Sequence, residues 1–459
     1  MRLIGCLGAA CLIALSPLSA GAVNAEAAAF GAWGVDTSGL SKSVRPGDDF
    51  YRYVNEGWLR TARIPTGLSA IDEGTQVYLA NEQRVAAIIR DVRSGVHPTG
   101  SPEQQIADFY ASHADMARRN ALGLKPIESE LARIRAAPDR SALAAYMGGP
   151  AAAGLFAAGV LSDSDSPRVQ IYAVAPSGLT MPSRDYYLLE GEPYAGFRKA
   201  FLDYVAGSFR RAGVSDPDAR AARVLAFETE IARRAWTTEQ SRDVVRLNRV
   251  MTPAELAAYA PGFDWGAFLA AEGAAGQPRL KVLKDSSVRD TARLWAETPV
   301  EDLKSWLVFH TLNAWADSLS EEWVQAHFDF NGKALKGIPG RRPAELETVM
   351  AVNGSLGEQL GRIYVARHFS AAERAQVAEM VDYLKAEFRD RIAKLAWMDA
   401  PTRAEAIAKL DKITTHIGYP DRWHDISGVS IRSDDLVGNE RRLLEWQHAD
   451  ELKKLAEGT

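Results

Sequence analysis

Residues 353–423 read NGSLGEQLGRIYVARHFSAAERAQVAEMVDYLKAEFRDRIAKLAWMDAPTRAEAIAKLDKITTHIGYPDRW, and this stretch decides the fold. Its apolar residues recur at the spacing of an amphipathic helix. A first helix is predicted by positions i, i+4, i+7 and i+8, which are occupied by Leu356, Leu360, Ile363 and Tyr364. The stretch is therefore read as helical, since a half-buried strand would alternate with a period of two.

Two further helices are predicted in the same stretch. The longer one has Ser370 at the N-cap position, and its apolar face is formed by Val377, Val381, Leu384, Phe388, Ile392 and Leu395. The next helix begins after Asp399, a cap that is followed by a proline in the first turn, and we expect Gly418 and Pro420 to end it. Spacing alone thus predicts three helices packed into a core, without chemistry of their own.

The order of residues in this stretch is more specific than their spacing. Leu356-Gly357-Glu358 with Gly361-Arg362-Ile363-Tyr364-Val365 resembles a segment of the neprilysin-like zinc metalloendopeptidases, the family of neprilysin, endothelin-converting enzyme and bacterial oligopeptidase O. Leu395-Ala396-Trp397-Met398-Asp399 and Ile417-Gly418-Tyr419-Pro420-Asp421 resemble further segments of the same family, with Thr402, Ala406 and Lys409-Leu410 between them. The resemblance implies the N-terminal portion of such an enzyme.

A second match lies near the N-terminus. Residues 46–59, PGDDFYRYVNEGWL, resemble the opening of the same family, as does Ile64-Pro65 after them. The residue types predict a helix with acids at its start, where they favour the helix dipole. We expect its apolar side to face the core, with Phe50, Tyr53, Val54 and Trp58.

Helical patterns fill most of the chain between these two matches. They lie at about 71–93, 102–121, 125–136, 140–147, 194–212, 216–235, 252–260, 286–298, 300–318 and 320–333. The period changes at 155–176, which predicts a small β-hairpin, and Leu280–Leu283 is a short strand-like piece. Residues 181–187, MPSRDYY, resemble an element of the family. Read without the family, they predict a structured loop in which Arg184 and Asp185 can pair and the tyrosines can act as anchors. The predicted fold class is mainly α, a multi-helix non-catalytic portion of a neprilysin-like peptidase with a small β-hairpin.

Composition sets the broad class of the protein. The chain has 459 residues, of which 47% are hydrophobic and 25% charged, as expected for a globular protein with more than one domain. The net charge of −5 offers no electrostatic basis for binding nucleic acid. We therefore expect no nucleic-acid partner.

The first residues have the pattern of a secretory signal peptide. Arg2 precedes an apolar run from Leu3 to Leu15, small residues follow, and we expect cleavage after Ala25. Both cysteines lie in this signal, so the exported chain has no disulfide, which fits a bacterial periplasmic or extracellular protein. No transmembrane segment is expected after signal removal. The predicted regions are a signal peptide at 1–25, a flexible leader at 26–38, the neprilysin-like helical region at 39–425 and a lead-in to the zinc catalytic domain at 426–459.

The chemistry of the family needs two histidines one helical turn apart and a glutamate beside the first, so that the imidazoles bind zinc and the carboxylate activates water. No two histidines of this sequence are four positions apart, and none is followed by glutamate; they are His97, His113, His310, His327, His368, His416, His424 and His448. The family's Asn-Ala-x-Tyr substrate segment is absent, and Ser69-Ala70-Ile71 stand where the family has a substrate-contacting arginine. We predict no catalytic residue and no metal ligand, and the substrate-binding residues stay unknown.

One loop contains the residue types of a metal site. His416, His424 and Asp421 lie around the Gly-Tyr-Pro-Asp turn. A zinc site needs several converging ligands, and isolated loop histidines are more often hydrogen-bonding surface residues. Nucleophile-elbow, P-loop and dinucleotide-binding patterns are absent from the sequence.

The resemblance implies an exported zinc metalloendopeptidase that cleaves small peptides, and in the family the zinc motif follows the Ile-Gly-Tyr-Pro-Asp segment. We expect this chain to be a truncated or partial member that holds the cleft-capping region, is inactive alone and contains no cofactor, zinc being implied for the complete enzyme. Two alternatives are half of a split peptidase, with a separate catalytic chain as partner, and a stand-alone exported peptide-binding or scaffold protein. A missing catalytic domain predicts a large exposed apolar surface.

Overall fold

The computed structural model describes residues 37–457, so the predicted signal peptide and most of the predicted leader lie outside the described residues. Within this range the chain is mainly α-helical, as predicted. The helices are α1 (Phe50–Thr61), α2 (Glu73–Arg93), α3 (Pro102–Ala114), α4 (Met116–Leu122), α5 (Glu128–Ala136), α6 (Arg140–Met147), α7 (Asp185–Leu188), α8 (Tyr194–Arg211), α9 (Pro217–Arg234), α10 (Pro253–Tyr259), α11 (Trp265–Ala271), α12 (Asp285–Glu297), α13 (Val300–Trp315), α14 (Glu321–Phe328), α15 (Ala344–Ser355), α16 (Gly357–His368), α17 (Ala371–Lys394), α18 (Ala400–Asp411) and α19 (Leu436–Glu457). A π-helix at Asp329–Ala334 continues α14.

The predicted hairpin is confirmed, and it belongs to a slightly larger sheet. The strands are β1 (Phe156–Ser162), β2 (Gln170–Pro176), β3 (Arg249–Met251) and β4 (Leu280–Val282), in the spatial order β1-β2-β4-β3. β1 pairs antiparallel with β2, with Phe156 opposite Pro176, and β4 runs parallel to β2. β3 has three residues, too few to display a period of two in the sequence.

Residues 65–457 form one compact unit, and residues 37–64, which include α1, form another. The larger unit has two apolar cores. One surrounds the buried indoles of Trp265, Trp295, Trp306 and Trp323, where helices cover the small sheet. The other joins α2, α3, α15 and α16 through residues such as Ile88, Phe109, Val352 and Leu360. Leu356 and Leu360 of the opening stretch are thus core residues, as their spacing predicts.

The N-caps predicted for the 353–423 stretch are confirmed. The Glu373 backbone N–H donates to Ser370 Oγ at 3.2 Å, and the Thr402 N–H donates to Asp399 Oδ1 at 2.8 Å. The predicted end of the third helix is wrong, because α18 ends at Asp411, well before Gly418. The β-branched residues Thr414 and Thr415 follow closely, and such residues have low helix propensity.

The core position predicted for the apolar side of α17 is also wrong, because the helix has no buried residue. Leu384 is 53% exposed and Phe388 is 59% exposed. The same holds in the smaller unit for α1, which has no buried residue and whose Phe50 is 67% exposed. Helical spacing identifies an apolar face correctly but does not say what covers it. Within the described residues, no helix combines the length and apolarity that a membrane span requires.

Candidate functional site

A cleft of about 610 Å³ lies beside α14, the π-helix and α15. Its volume falls in the range of protein sites for small ligands. Most of its wall is apolar and comes from Met116, Val324, Phe328, Ile338, Met350 and Ala351. We call this site the α14–α15 cleft.

The π-helix shapes one wall of this cleft. A Cβ atom at Gly332 would lie 2.6 Å from the Phe328 ring, so only glycine lets that ring rest against the backbone. Asn331 and Gly332 of the same π-helix both line the cleft. Short π-helical turns inside helices are frequent at functional sites.

Two arginines of the cleft are held by carboxylates. Arg341 donates from Nε to Glu347 Oε1 at 2.9 Å and from Nη1 to Glu321 Oε1 at 2.5 Å, and these bonds raise the pKa of Arg341. Arg342 donates to Glu82 Oε2 at 2.5 Å, and both side chains of this pair are buried. Their charges are therefore neutralised within the protein.

The third arginine and both histidines that line the cleft also have partners within the protein, and His327 Nδ1 lies 2.8 Å from Asp317 Oδ1. Arg119 is buried and donates to the carbonyl oxygens of His113, at 3.0 Å, and Leu319, at 2.9 Å. Burial lowers the pKa of His113 to about 4, so its ring is neutral near neutral pH. The Thr348 hydroxyl donates to Ala344 O at 2.9 Å and so accepts from His113 Nδ1 at 3.0 Å. His113 Nε2 is thereby the acceptor nitrogen of the ring.

The loop that resembles the family's tyrosine-rich element is anchored on a buried carboxylate. Glu228 has no exposed surface and accepts from Tyr187 Oη at 2.5 Å, from His310 Nε2 at 2.9 Å, and from the N–H and hydroxyl of Thr180 at 2.9 and 2.8 Å. The predicted tyrosine anchor is thus present. The predicted Arg184–Asp185 pair is not formed, and Arg184 instead donates to Ala232 O at 3.3 Å.

The loop considered as a metal site does not assemble one. His424 Nδ1 lies 2.7 Å from Glu358 Oε1, in the Leu-Gly-Glu motif, and its Nε2 lies 3.1 Å from Lys454 Nζ. Asp421 pairs with Arg374 at 2.8 Å instead, and His416 is exposed. In the part of the chain that the structure describes, no three His, Cys, Asp or Glu residues are arranged to hold a metal ion.

The stability of the packing between α19 and the segment around Ser318 should depend on pH, because Glu440 of α19 is partly buried there. Ser318 Oγ donates to Glu440 Oε2 at 2.5 Å, and Arg119 and Asp317 are the charged groups nearby. Burial raises the pKa of Glu440 to about 7 from an ordinary 4.5. The stabilisation from the neutral carboxyl is complete below pH 4.5 and is lost as the pH rises to about 7, a change of about 3 kcal/mol.

Glu440→Gln keeps the shape of this carboxyl group and removes its titration. We expect the wild-type free energy of unfolding to fall relative to that of the variant between pH 5 and 7, measured by urea unfolding. Glu445→Gln, an exposed position on the same helix, serves as the control. If the free energies of unfolding of wild type and Glu440→Gln change with pH in parallel, Glu440 is already ionised in the folded protein, which would contradict this prediction.

Two segments that carry family motifs expose apolar side chains. On α17 and in the residues that follow it, those more than 45% exposed are Met380, Tyr383, Leu384, Phe388, Trp397 and Ile413. We call them the α17–α18 apolar residues. On α1, considered by itself, Phe50 and Tyr51 are 67% and 64% exposed. Met380, Tyr383, Leu384 and Phe388 recur at helical spacing and so share one face of α17. Contiguous exposed apolar surface marks interaction sites in proteins.

The sequence does not reveal the α14–α15 cleft. His113 and Thr348 are 235 positions apart, and neither belongs to a recognisable motif. The one local signal is Gly332 within a helical pattern, since an isolated glycine in a helix often has a packing reason. The hydrogen bonds of Glu228 with Thr180, Tyr187 and His310 are also not predictable from the sequence, because a glutamate on a helix is normally exposed.

Comparison with known proteins identifies the family. Residues 46–420 match the model of peptidase family M13, N-terminal domain. Endothelin-converting enzyme-like 1 of Rattus norvegicus is 26% identical over 406 residues, covering 84% of this chain and 52% of that protein. The chain therefore spans about half the length of the curated relatives it matches.

Two solved structures have the same fold. The Mycobacterium tuberculosis zinc metalloprotease ZMP1 in complex with an inhibitor is 30% identical, with a TM-score of 0.85, over 92% of this chain and 64% of that one. PepO from Lactobacillus rhamnosis HN001 is 19% identical, with a TM-score of 0.80, over 90% of this chain and 66% of that one. The family match covers most of the chain, and the chain belongs to peptidase family M13, a family of zinc metallopeptidases.

Proposed function

We propose that this chain is the non-catalytic, cleft-capping part of an exported M13 zinc endopeptidase that hydrolyses small peptides. One observation carries the proposal: the family motifs are present while His-Glu-x-x-His is absent from the sequence. The α17–α18 apolar residues support it, because a neighbouring zinc-bearing part would bury them. In this proposal the chain shapes the space above an active site and supplies none of its reacting groups.

Residues 37–457, the part of the chain that the structure describes, do not fit a catalytic zinc ion. Such an ion needs three converging protein ligands and an open position for water. The histidines nearest to carboxylates are already paired, as His310 is with Glu228 and His424 is with Glu358. These residues therefore take no part in the proposed hydrolysis.

Two other arrangements remain open within the same family. The zinc-bearing part is a separate polypeptide that docks onto this chain, or no such part exists and the chain binds peptides without cleaving them. The DNA that follows the codon of Thr459 distinguishes them. An in-frame His-Glu-x-x-His motif there favours a single longer enzyme, and the motif in a neighbouring gene favours a split enzyme. Absence of the motif from both would contradict the capping role and favour the stand-alone protein.

Export is the second component of the proposal. It is supported by the apolar run at 3–15 and by the restriction of both cysteines to positions 6 and 11. N-terminal sequencing of the protein from a bacterial periplasmic fraction or culture medium should start at Glu26. An intact Met1 in the cytoplasmic fraction alone would contradict export.

A further inference from the structure

We propose that the α14–α15 cleft binds the C-terminal end of a short peptide, with an apolar side chain in the cleft and the terminal carboxylate against Lys336. This binding is a property of the chain itself and needs neither zinc nor hydrolysis. The cleft would bind a peptide separately from the zinc site of a complete enzyme, and independently of hydrolysis at that site.

Among the described residues, Lys336 is the one lysine or arginine lining the cleft that has no bonding partner, since Arg119 is bonded to backbone carbonyl oxygens. Arg341 is held by Glu347 and Glu321, and Arg342 is held by Glu82. Lys336 also lines the cleft and is exposed, and among residues 37–457 it has neither an ion-pair nor a hydrogen-bond partner. A single free ammonium group beside an apolar cavity is complementary to a ligand with one carboxylate.

Two acceptors distinguish a peptide from other apolar carboxylates. His113 donates from Nδ1 to Thr348, which leaves Nε2 as an acceptor. Asn331 donates from Nδ2 to His327 O at 3.2 Å, which leaves its Oδ1 as an acceptor. Both residues line the cleft. A peptide has N–H groups to donate to such acceptors, and a fatty acid has none.

The apolar walls set the size of the side chain. Val324 and Phe328 come from α14, Met350 and Ala351 come from α15, and Ile338 lies between these helices in the chain. The volume of about 610 Å³ accepts one or two large apolar side chains. Gly332 maintains this space by letting the Phe328 ring lie against the backbone.

The test uses a fluorescein-labelled peptide, Gly-Gly-Leu-Phe, with a free C-terminal carboxylate, and the same peptide with a C-terminal amide. Fluorescence anisotropy on the whole chain should give a Kd below about 1 mM for the carboxylate. Lys336→Gln should weaken the binding of the carboxylate about fivefold and leave that of the amide unchanged. Half-molar salt should reduce this difference.

The matched control is Lys333→Gln, since Lys333 lies three positions before Lys336, is exposed on the π-helix and does not line the cleft. It should leave the binding of both peptides unchanged. Val324→Phe and Ala351→Phe fill the cleft from two different helices and should each reduce the binding of both peptides more than tenfold. The thermal unfolding midpoints of both variants should stay near that of wild type. If one variant does not fold, the other still tests the proposal.

Three outcomes would overturn the proposal. The first is no binding by the wild-type chain at 1 mM peptide. The second is a failure of the charge test, seen as equal affinity for the carboxylate and the amide together with equal effects of Lys333→Gln and Lys336→Gln. The third is tighter binding of decanoate than of the peptide in competition, which would assign the cleft to fatty acids.

Discussion

Glu228→Ala should lower the free energy of unfolding by about 3–5 kcal/mol, the largest effect of any single polar substitution that we expect in this chain. The carboxylate is fully buried and accepts hydrogen bonds from Thr180, Tyr187 and His310. Alanine leaves these donors inside the protein without an acceptor. Each unpaired buried group costs about 1–3 kcal/mol, and a cavity adds to the loss.

Urea unfolding followed by circular dichroism measures this effect. Glu230→Ala is the matched control, because Glu230 lies on the same helix but pairs with Arg233 and Arg234 near the surface. It should cost no more than about 1 kcal/mol. Equal losses for the two variants would mean that Glu228 is not the buried acceptor that fixes the 181–187 loop.

The second large effect concerns the α17–α18 apolar residues. Under the proposed capping role, the double variant Phe388→Glu, Trp397→Glu should reduce binding of the proposed zinc-bearing part, expressed as a separate chain, by more than about a hundredfold. Two large exposed aromatic side chains are typical interface hot spots, and each contributes about 2 kcal/mol or more. The introduced carboxylates would also be desolvated in the interface.

The isolated chain offers a simpler measurement of the same surface. Wild type should bind the dye 8-anilinonaphthalene-1-sulfonate, and the double variant should bind several times less at an unchanged thermal midpoint, because neither residue is part of a core. Lys394→Gln, on the exposed end of α17, is the control. Equal dye binding by wild type and the double variant would mean that this surface does not attract apolar partners.

The sequence predicts most of the fold because local rules determine its helices. Ser370 and Asp399 cap the helices that their positions indicate, and the spacing of Leu356 and Leu360 places them in a core. The spacing of Leu384 and Phe388 also predicts an apolar face correctly. It does not predict that this face is exposed, since burial depends on a partner surface that spacing does not describe.

The candidate site is far less accessible to sequence reasoning. The neutral state of His113 depends on burial between helices that are remote in the chain. Lys336 stands out only once Arg341 and Arg342 are seen to be paired with carboxylates. Charge balance in a cleft is a tertiary property, so it has no signature in residue spacing. The absence of His-Glu-x-x-His, in contrast, is a property of the sequence itself and needs no structure.

The capping role is tested most directly by zinc content and peptidase activity of the purified chain. The protein is dialysed against a micromolar zinc salt, its metal content is measured by atomic emission, and hydrolysis of a fluorogenic peptide is followed with and without a chelator. The capping role predicts no stoichiometric zinc and no chelator-sensitive hydrolysis. One zinc ion per chain together with hydrolysis that the chelator abolishes would contradict it.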